Sequence, residues 1–194
     1  MAEEDKRAIF EEQAMPYLDM LYGTALRLTH VPADAEDLVQ DTYLKAFRAY
    51  DQYEQGTNFK AWIFKILTNN FFNKYKKEKR SPDPVSIDDT PDFYLYEKVT
   101  DTMGGGGESP EKEFLNKFIP ENIKSAVQSL PEEYKIAFIL SDVNEFTYEE
   151  IAQVTETNIG TVKSRLFRAR RMLQHLLWEY AKEQGIVHGE PSRV

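Results

Sequence analysis

The chain has no cysteine among its 194 residues. That excludes a disulfide framework, thiolate chemistry and any cysteine-built zinc site. Histidine is scarce too: His30, His175 and His188 are the only three, and they are scattered rather than spaced as ligands. They read as surface or half-buried side chains, so no metal site and no cofactor is expected. No apolar run approaches the roughly 20 residues that cross a bilayer, so no membrane insertion is expected. The opening stretch "MAEEDKRAIF" lacks the apolar core of a signal peptide, which points to a cytoplasmic protein. Sustained two-residue alternation, the mark of a strand, is missing as well.

What the chain does have is an ordinary soluble composition, 41% hydrophobic, and enough length for one medium or two small domains. Its formal net charge of −9 argues at first against a nucleic-acid partner. The distribution argues the other way. Lys60, Lys65, Lys74, Lys76, Lys77, Lys79 and Arg80 face only Glu78 in their segment, and Lys163, Arg165, Arg168, Arg170 and Arg171 form an island without acid. Two basic islands on an acidic chain suggest two local polyanion contacts, with the acidic surfaces left for a different partner.

Prolines at 82, 84, 91 and 110 and the glycine run 104–107 break any helix between the islands. The organisation expected is a domain over 1–81, an acidic Pro/Gly-containing linker over 82–112, a domain over 113–183 and a tail over 184–194. Within the linker, "DFYLYEKV" is too aromatic for pure spacer and is expected to dock, either on its own domain or on a partner. Both flanks repeat apolar residues at three- and four-residue spacing, as in Leu18, Leu21 and Leu28, then Leu38, Tyr43, Leu44 and Phe47. Pro32 separates these two runs. Asp34 is expected to cap the second, with Asp37 completing an acidic variant of the capping box. Gly56 and Asn58 mark the next break, and Pro131 suits a first helical turn. The fold class is therefore all-α, two small helical domains joined by a flexible acidic linker.

In the second domain, a short helix (148–154), the polar break "TETN" and a longer helix from Ile159 have the layout of a helix-turn-helix. Val162, Leu166, Ala169 and Leu173 form the buried stripe of the longer helix. Thr161, Ser164, Arg165 and Arg168 form its outward stripe, flanked by Lys163 and Phe167. Long donors at such a position reach guanine edges or phosphates in a major groove, with Arg170 and Arg171 further along meeting phosphate.

The first domain carries "WIFKILTNNFFNKYKKEKR", 62–80. Ile63, Ile66, Leu67 and Phe71 share its packing face. Lys65, Asn69, Phe72, Asn73 and Lys76 share the opposite one, with Trp62 at the border. Amides that read a base edge, a ring that stacks and lysines that follow a backbone suit unpaired nucleic acid. By itself the segment also suits a plainer reading, with Phe72 packed on a neighbouring helix and the asparagines solvated. Asn70 falls on the apolar face, where a buried amide bonded to backbone is expected. Two other functions compete. A stand-alone helix-turn-helix regulator would leave the base-reading face unexplained. An enzyme would need Asp34, Glu36, Asp37 and Asp41 as a metal cluster, but no histidine or phosphate-cradling glycine loop accompanies them.

The segment "YEEIAQVTETNIGTVKSRLFRARRML" resembles region 4 of the sigma-70 family, in its extracytoplasmic-function (ECF) group. "DAEDLVQDTYLKAFRAYDQYEQGTNFKAWIFKILTNNFFNKYKKEKR" resembles region 2 of the same group. The resemblance implies a non-enzymatic transcription initiation factor with core RNA polymerase and promoter DNA as partners. It implies that Lys163, Ser164, Phe167 and Arg168 read the −35 element, with Thr161, Arg165 and Arg171 on phosphate. It implies that Asn69 and Asn73, beside Trp62, Lys65, Phe72 and Lys76, hold melted −10 bases. For polymerase binding it points to Asp37, Gln40 and Asp41, with Tyr43 and Phe47 as apolar contacts; acids there suit a partner that supplies arginines. Among ECF factors, "GTNFKAWIFKILTN" and "DFYLYEKV" are most similar to the SigR/SigH-like thiol-stress subgroup. That likeness implies a stress response controlled by a zinc-binding, redox-sensing anti-sigma factor. With no cysteine here, the sensor would reside in that partner.

Overall fold

Helices joined by turns and short irregular connections make up the described residues, 3–75 and 121–183 of a computed structural model, and no strand occurs among them. The all-α expectation is met. By their contacts these residues form two units: 3–75 with 149–157, and 121–148 with 158–183. Lys76 and the rest of the lysine block, the expected linker and the tail lie outside the described residues.

The first unit opens with α1 (Glu3–Ala14), a single 3-10 turn at Met15–Tyr17 and α2 (Leu18–Thr29). His30, in the left-handed region at φ 63°, ends α2 by donating its N–H to the Leu26 carbonyl at 2.9 Å. The next helix, α3 (Pro32–Ala49), starts three residues earlier than the sequence suggested. Pro32 takes the first helical position after an extended Val31, and no side chain caps the end. Proline fits there because its φ is preset and it has no N–H to satisfy. Asp34 therefore lies inside the first turn, where its charge complements the helix dipole.

Along α3, Ala35, Leu38, Val39, Thr42 and Ala46 are buried at helical spacing. Gly56, at φ 86°, makes the turn before α4 (Phe59–Tyr75). The Asn58 side-chain oxygen then accepts the Ala61 N–H at 3.0 Å and caps the new helix. Ile63, Phe64, Leu67 and Phe71 are buried on α4, as are Ala61, Thr68 and Asn70 on its flanks. Burial on several sides makes α4 a central helix of its unit. Ile66, expected on the packing face, is half-buried.

An aromatic cluster ties these helices together. Phe10 meets Tyr43, Phe47, Tyr50 and Phe59 edge-on, at centroid distances of 6.2, 5.5, 5.4 and 6.4 Å. Edge-to-face pairs of this kind contribute about 0.5–1.5 kcal/mol each beyond their burial. The polar ends are satisfied: Tyr50 donates to Gln13 at 2.7 Å and Tyr53 to the Thr57 carbonyl at 2.6 Å.

In the second unit, α5 (Glu121–Gln128) is followed by α6 (Glu132–Phe138), which runs into a π-helical turn at Ile139–Val143. Pro131 precedes α6, and its carbonyl accepts the N–H groups of Tyr134 and Lys135, both at 2.9 Å. The π turn is closed by Asn144 donating to Ile139 at 3.0 Å. The short α7 (Tyr148–Thr155) belongs, from residue 149 on, to the first unit, and the long α8 (Ile159–Glu183) belongs to the second. On α8 the buried stripe is Val162, Leu166, Ala169, Met172, Leu173 and Leu177. Truncating a fully buried member such as Leu166 costs about 2–5 kcal/mol.

Candidate nucleic-acid interface

Three outward surfaces carry the residues singled out from the sequence. The first is on α4. Asn69 and Asn73 are exposed, four residues apart and therefore on one face. Phe72 and Trp62 are half-buried, and Lys65 pairs with Glu156 at 2.8 Å within the first unit. Trp62 belongs to the aromatic cluster, 5.0 Å from the Tyr53 ring and 5.3 Å from that of Phe59. Its plane is thus set by packing and not left free on the surface. Phe72 lies 6.1 Å from Phe71.

Asn70 is buried as expected, but its partners are side chains and not backbone. Its Nδ2 donates to Thr42 Oγ1 at 3.2 Å, and its Oδ1 accepts from Lys45 Nζ at 2.5 Å. Thr42 itself donates to the Leu38 carbonyl at 2.7 Å. Neighbouring helices supply these polar groups, which sequence spacing within α4 has no way to reveal.

The second surface is on α3. Asp37, Gln40 and Asp41 are exposed, whereas Tyr43 and Phe47 are half-buried against Phe10. Tyr43 donates its hydroxyl to the Ala14 carbonyl at 2.8 Å. Burial, helped by the charge of Asp19, pushes its pKa up to about 12. Lys74 of α4 reaches across to Asp37 at 3.6 Å. Leu44 is a member of this surface that sequence reasoning missed: it is 55% exposed. The signal was present, since 37, 41, 44 and 48 follow one helical stripe, but an isolated leucine in an apolar repeat reads as core.

The third surface is on α8. The Asn158 side chain caps the helix by accepting the Thr161 N–H at 2.7 Å. Lys163, Ser164, Phe167 and Arg168 are exposed; Thr161, Arg165 and Arg171 are half-buried. Phe167 is 51% exposed, with the Arg171 guanidinium 5.8 Å from its ring centre. Arg165 pairs with Glu133 at 2.8 Å, and Arg168 donates to the Tyr134 hydroxyl at 3.2 Å. That hydrogen bond holds Arg168 more firmly in its charged form. Glu133 and Tyr134 were not picked out from the sequence, because they lie more than 30 residues away on another helix.

Arg170, expected on the phosphate side, faces inward instead. It pairs with Asp142 at 2.9 Å, their side chains 20% and 7% exposed. Burial raises the Asp142 pKa, and the Arg170 charge and hydrogen bond partly pull it back. Among the described residues no three His, Cys, Asp or Glu side chains are grouped to hold a metal ion. No described helix is long and apolar enough to cross a membrane.

Exposed amides on α4 and an exposed basic stripe on α8 give this all-helical protein two surfaces chemically suited to nucleic acid. Comparison with known proteins narrows the class. Residues 14–81 match the family model described as Sigma-70 region 2, and residues 121–173 match Sigma-70, region 4. An ECF RNA polymerase sigma-E factor of Escherichia coli is 30% identical over 150 residues, 75% of this chain and 75% of that protein. ECF RNA polymerase sigma factor SigE of Mycolicibacterium smegmatis is 30% identical over 174 residues, 90% of this chain. This chain spans 63% of the length of that mycobacterial relative. The sigma factor RpoE of Bartonella quintana, solved in complex with the anti-sigma factor NepR, superposes with a TM-score of 0.62 at 31% identity. That match covers 87% of this chain and 96% of the other. The chain belongs to the sigma-70 family, in its ECF group: it is a transcription initiation factor whose partners are core RNA polymerase and promoter DNA.

Proposed function

We propose that this factor binds core RNA polymerase through the outward face of α3, holds melted −10 bases on α4 and reads the −35 duplex with α8. The polymerase contacts are Asp37, Gln40 and Asp41, bordered by Leu44, Tyr43 and Phe47. The −10 contacts are Asn69 and Asn73, with Trp62, Lys65, Phe72 and Lys76. The −35 contacts are Lys163, Ser164, Phe167 and Arg168, with Thr161, Arg165 and Arg171 on phosphate. The observation that carries the reading is the exposure of Asn69 and Asn73 beside a buried Asn70. Exposed amides four residues apart offer two edge-reading groups on one face, while the rings nearby supply stacking surface worth about 1–3 kcal/mol per base.

The regions extend over 1–81 and 113–183, with 82–112 as the tether. An anti-sigma factor holds the protein inactive in the cytoplasm. The relative co-crystallised with NepR supports control of this type. Likeness to the thiol-stress subgroup, in a chain without cysteine, assigns the redox sensor and its zinc to that partner.

The test is transcription in vitro from a randomised promoter pool by bacterial core polymerase, with and without this protein. Transcripts that start below one recurrent −35/−10 pair only in its presence are expected. If a core enzyme competent with another sigma factor gains no new start sites, the promoter-reading assignment fails.

A further inference from the structure

Glu133 and Tyr134 are consecutive residues in the first turn of α6, and they meet two arginines one turn apart on α8. Arg165 Nη2 donates to Glu133 Oε2 at 2.8 Å, and Arg168 Nη1 donates to the Tyr134 hydroxyl at 3.2 Å. The Arg165 side chain is 18% exposed and that of Glu133 47%, so the arginine is covered while the carboxylate borders solvent. The two partners differ in charge. Glu133 neutralises Arg165, whereas the phenol leaves the charge of Arg168 intact. A guanidinium has five N–H donors. Spending one on Tyr134 leaves enough for the bidentate contact with guanine O6 and N7.

We propose that Glu133 and Tyr134 are specificity-determining positioning residues for −35 recognition: Tyr134 aims Arg168 at base edges, and Glu133 withholds Arg165 from indiscriminate phosphate contact. The inference rests on α8 reading duplex DNA as set out above. An untethered arginine samples many rotamers and finds a phosphate on any sequence; a tethered one presents its fork in a single direction. The carboxylate adds a penalty against wrong registers, because it repels any phosphate brought close without a compensating base contact. Discrimination thus arises from a helix that itself has no need to touch a base.

The test measures binding of the full chain, assembled with core polymerase, to promoter duplexes with matched and single-base-altered −35 elements at about 50 to 200 mM salt. Tyr134→Phe is expected to lower the matched-to-altered affinity ratio about fivefold, the worth of one hydrogen bond, without changing the salt slope. Glu133→Gln is expected to tighten binding to the altered duplexes more than to the matched one, and to steepen their slope of log K against log salt by about 0.9, the phosphate contact that Arg165 otherwise makes only on the matched element. Glu133→Asp restores the charge and is expected to return the slope toward its original value. Unchanged unfolding temperatures establish that the variants are folded. If Tyr134→Phe and Glu133→Gln alter neither ratio nor slope while Arg165→Ala and Arg168→Ala alter them, the proposal is overturned and the −35 reading stands. If the arginine variants are also without effect, α8 is not the reader and both conclusions fall.

Discussion

Asn70 donates its amide to Thr42 Oγ1 across 3.2 Å, joining α4 to α3 in the interior of the first unit. Its chain neighbour Asn69 points into solvent. Adjacent asparagines thus do opposite work, and substitution separates them. Asn70→Ala removes the bonds to Thr42 and Lys45 from a buried position and is expected to lower stability by about 1–3 kcal/mol. Asn69→Ala with Asn73→Ala is expected to leave stability within about 0.5 kcal/mol and to impair promoter opening with polymerase binding intact. Denaturant unfolding and permanganate reactivity of the opened strand measure the two effects. Loss of polymerase affinity in the double variant would remove the −10 assignment.

The Asp142–Arg170 pair locks the π turn to α8. Removing one member of a buried pair leaves the other uncompensated, so Asp142→Ala is expected to cost about 3 kcal/mol. The folded-state pKa of Asp142 is raised. Its titration therefore favours the folded state most below the unfolded carboxyl value, and that stabilisation is lost as pH rises through the folded value. Against Asp142→Asn, the wild-type protein should lose relative stability as pH rises from about 4. Urea midpoints recorded across that range check the sign.

Tyr43 works in the same direction at the alkaline end. Its pKa of about 12 lies above the ordinary tyrosine value, so its contribution is full below pH ~10 and disappears as pH rises toward the folded value. Tyr43→Phe is expected to cost about 1 kcal/mol at neutral pH through the lost bond to Ala14. The variant should then show a shallower loss of stability between pH ~10 and the folded tyrosine's range. An equal alkaline slope in both proteins would contradict the burial assigned to this ring.

Glu145 sits at φ 57°, in the left-handed region where a β-carbon is crowded. It is exposed, so little packing is at stake. Glu145→Gly is expected to stabilise the second unit by up to about 1 kcal/mol, the relief exceeding the added entropy of the unfolded chain. A rise in melting temperature is the readout, and a fall would mean that the glutamate side chain has a compensating role.

The sequence by itself determined the helical class, the breaks at Pro32, Gly56 and Pro131, the buried stripe of α8 and the outward set around Arg168. All of these follow from a 3.6-residue period and from backbone chemistry acting within a few residues. Even at short range one detail was misread: Asp34 looks like a cap, yet Pro32 starts the helix, because a residue that needs no hydrogen bond opens a helix without one. Only the tertiary structure decided which side chains are spoken for. Arg170 and Arg171 are neighbours in an all-basic run, but Asp142 draws the first inward while the second borders Phe167. Asn69 and Asn70 are identical in chemistry, but only one is met by Thr42 and Lys45. Trp62 stands at the border of the outward side by its spacing, and the Tyr53 and Phe59 rings against it are what set its plane. The physical reason is the same in each case. Periodicity tells which face of a helix a residue occupies, whereas its charge, orientation and availability are set by partners from distant parts of the chain.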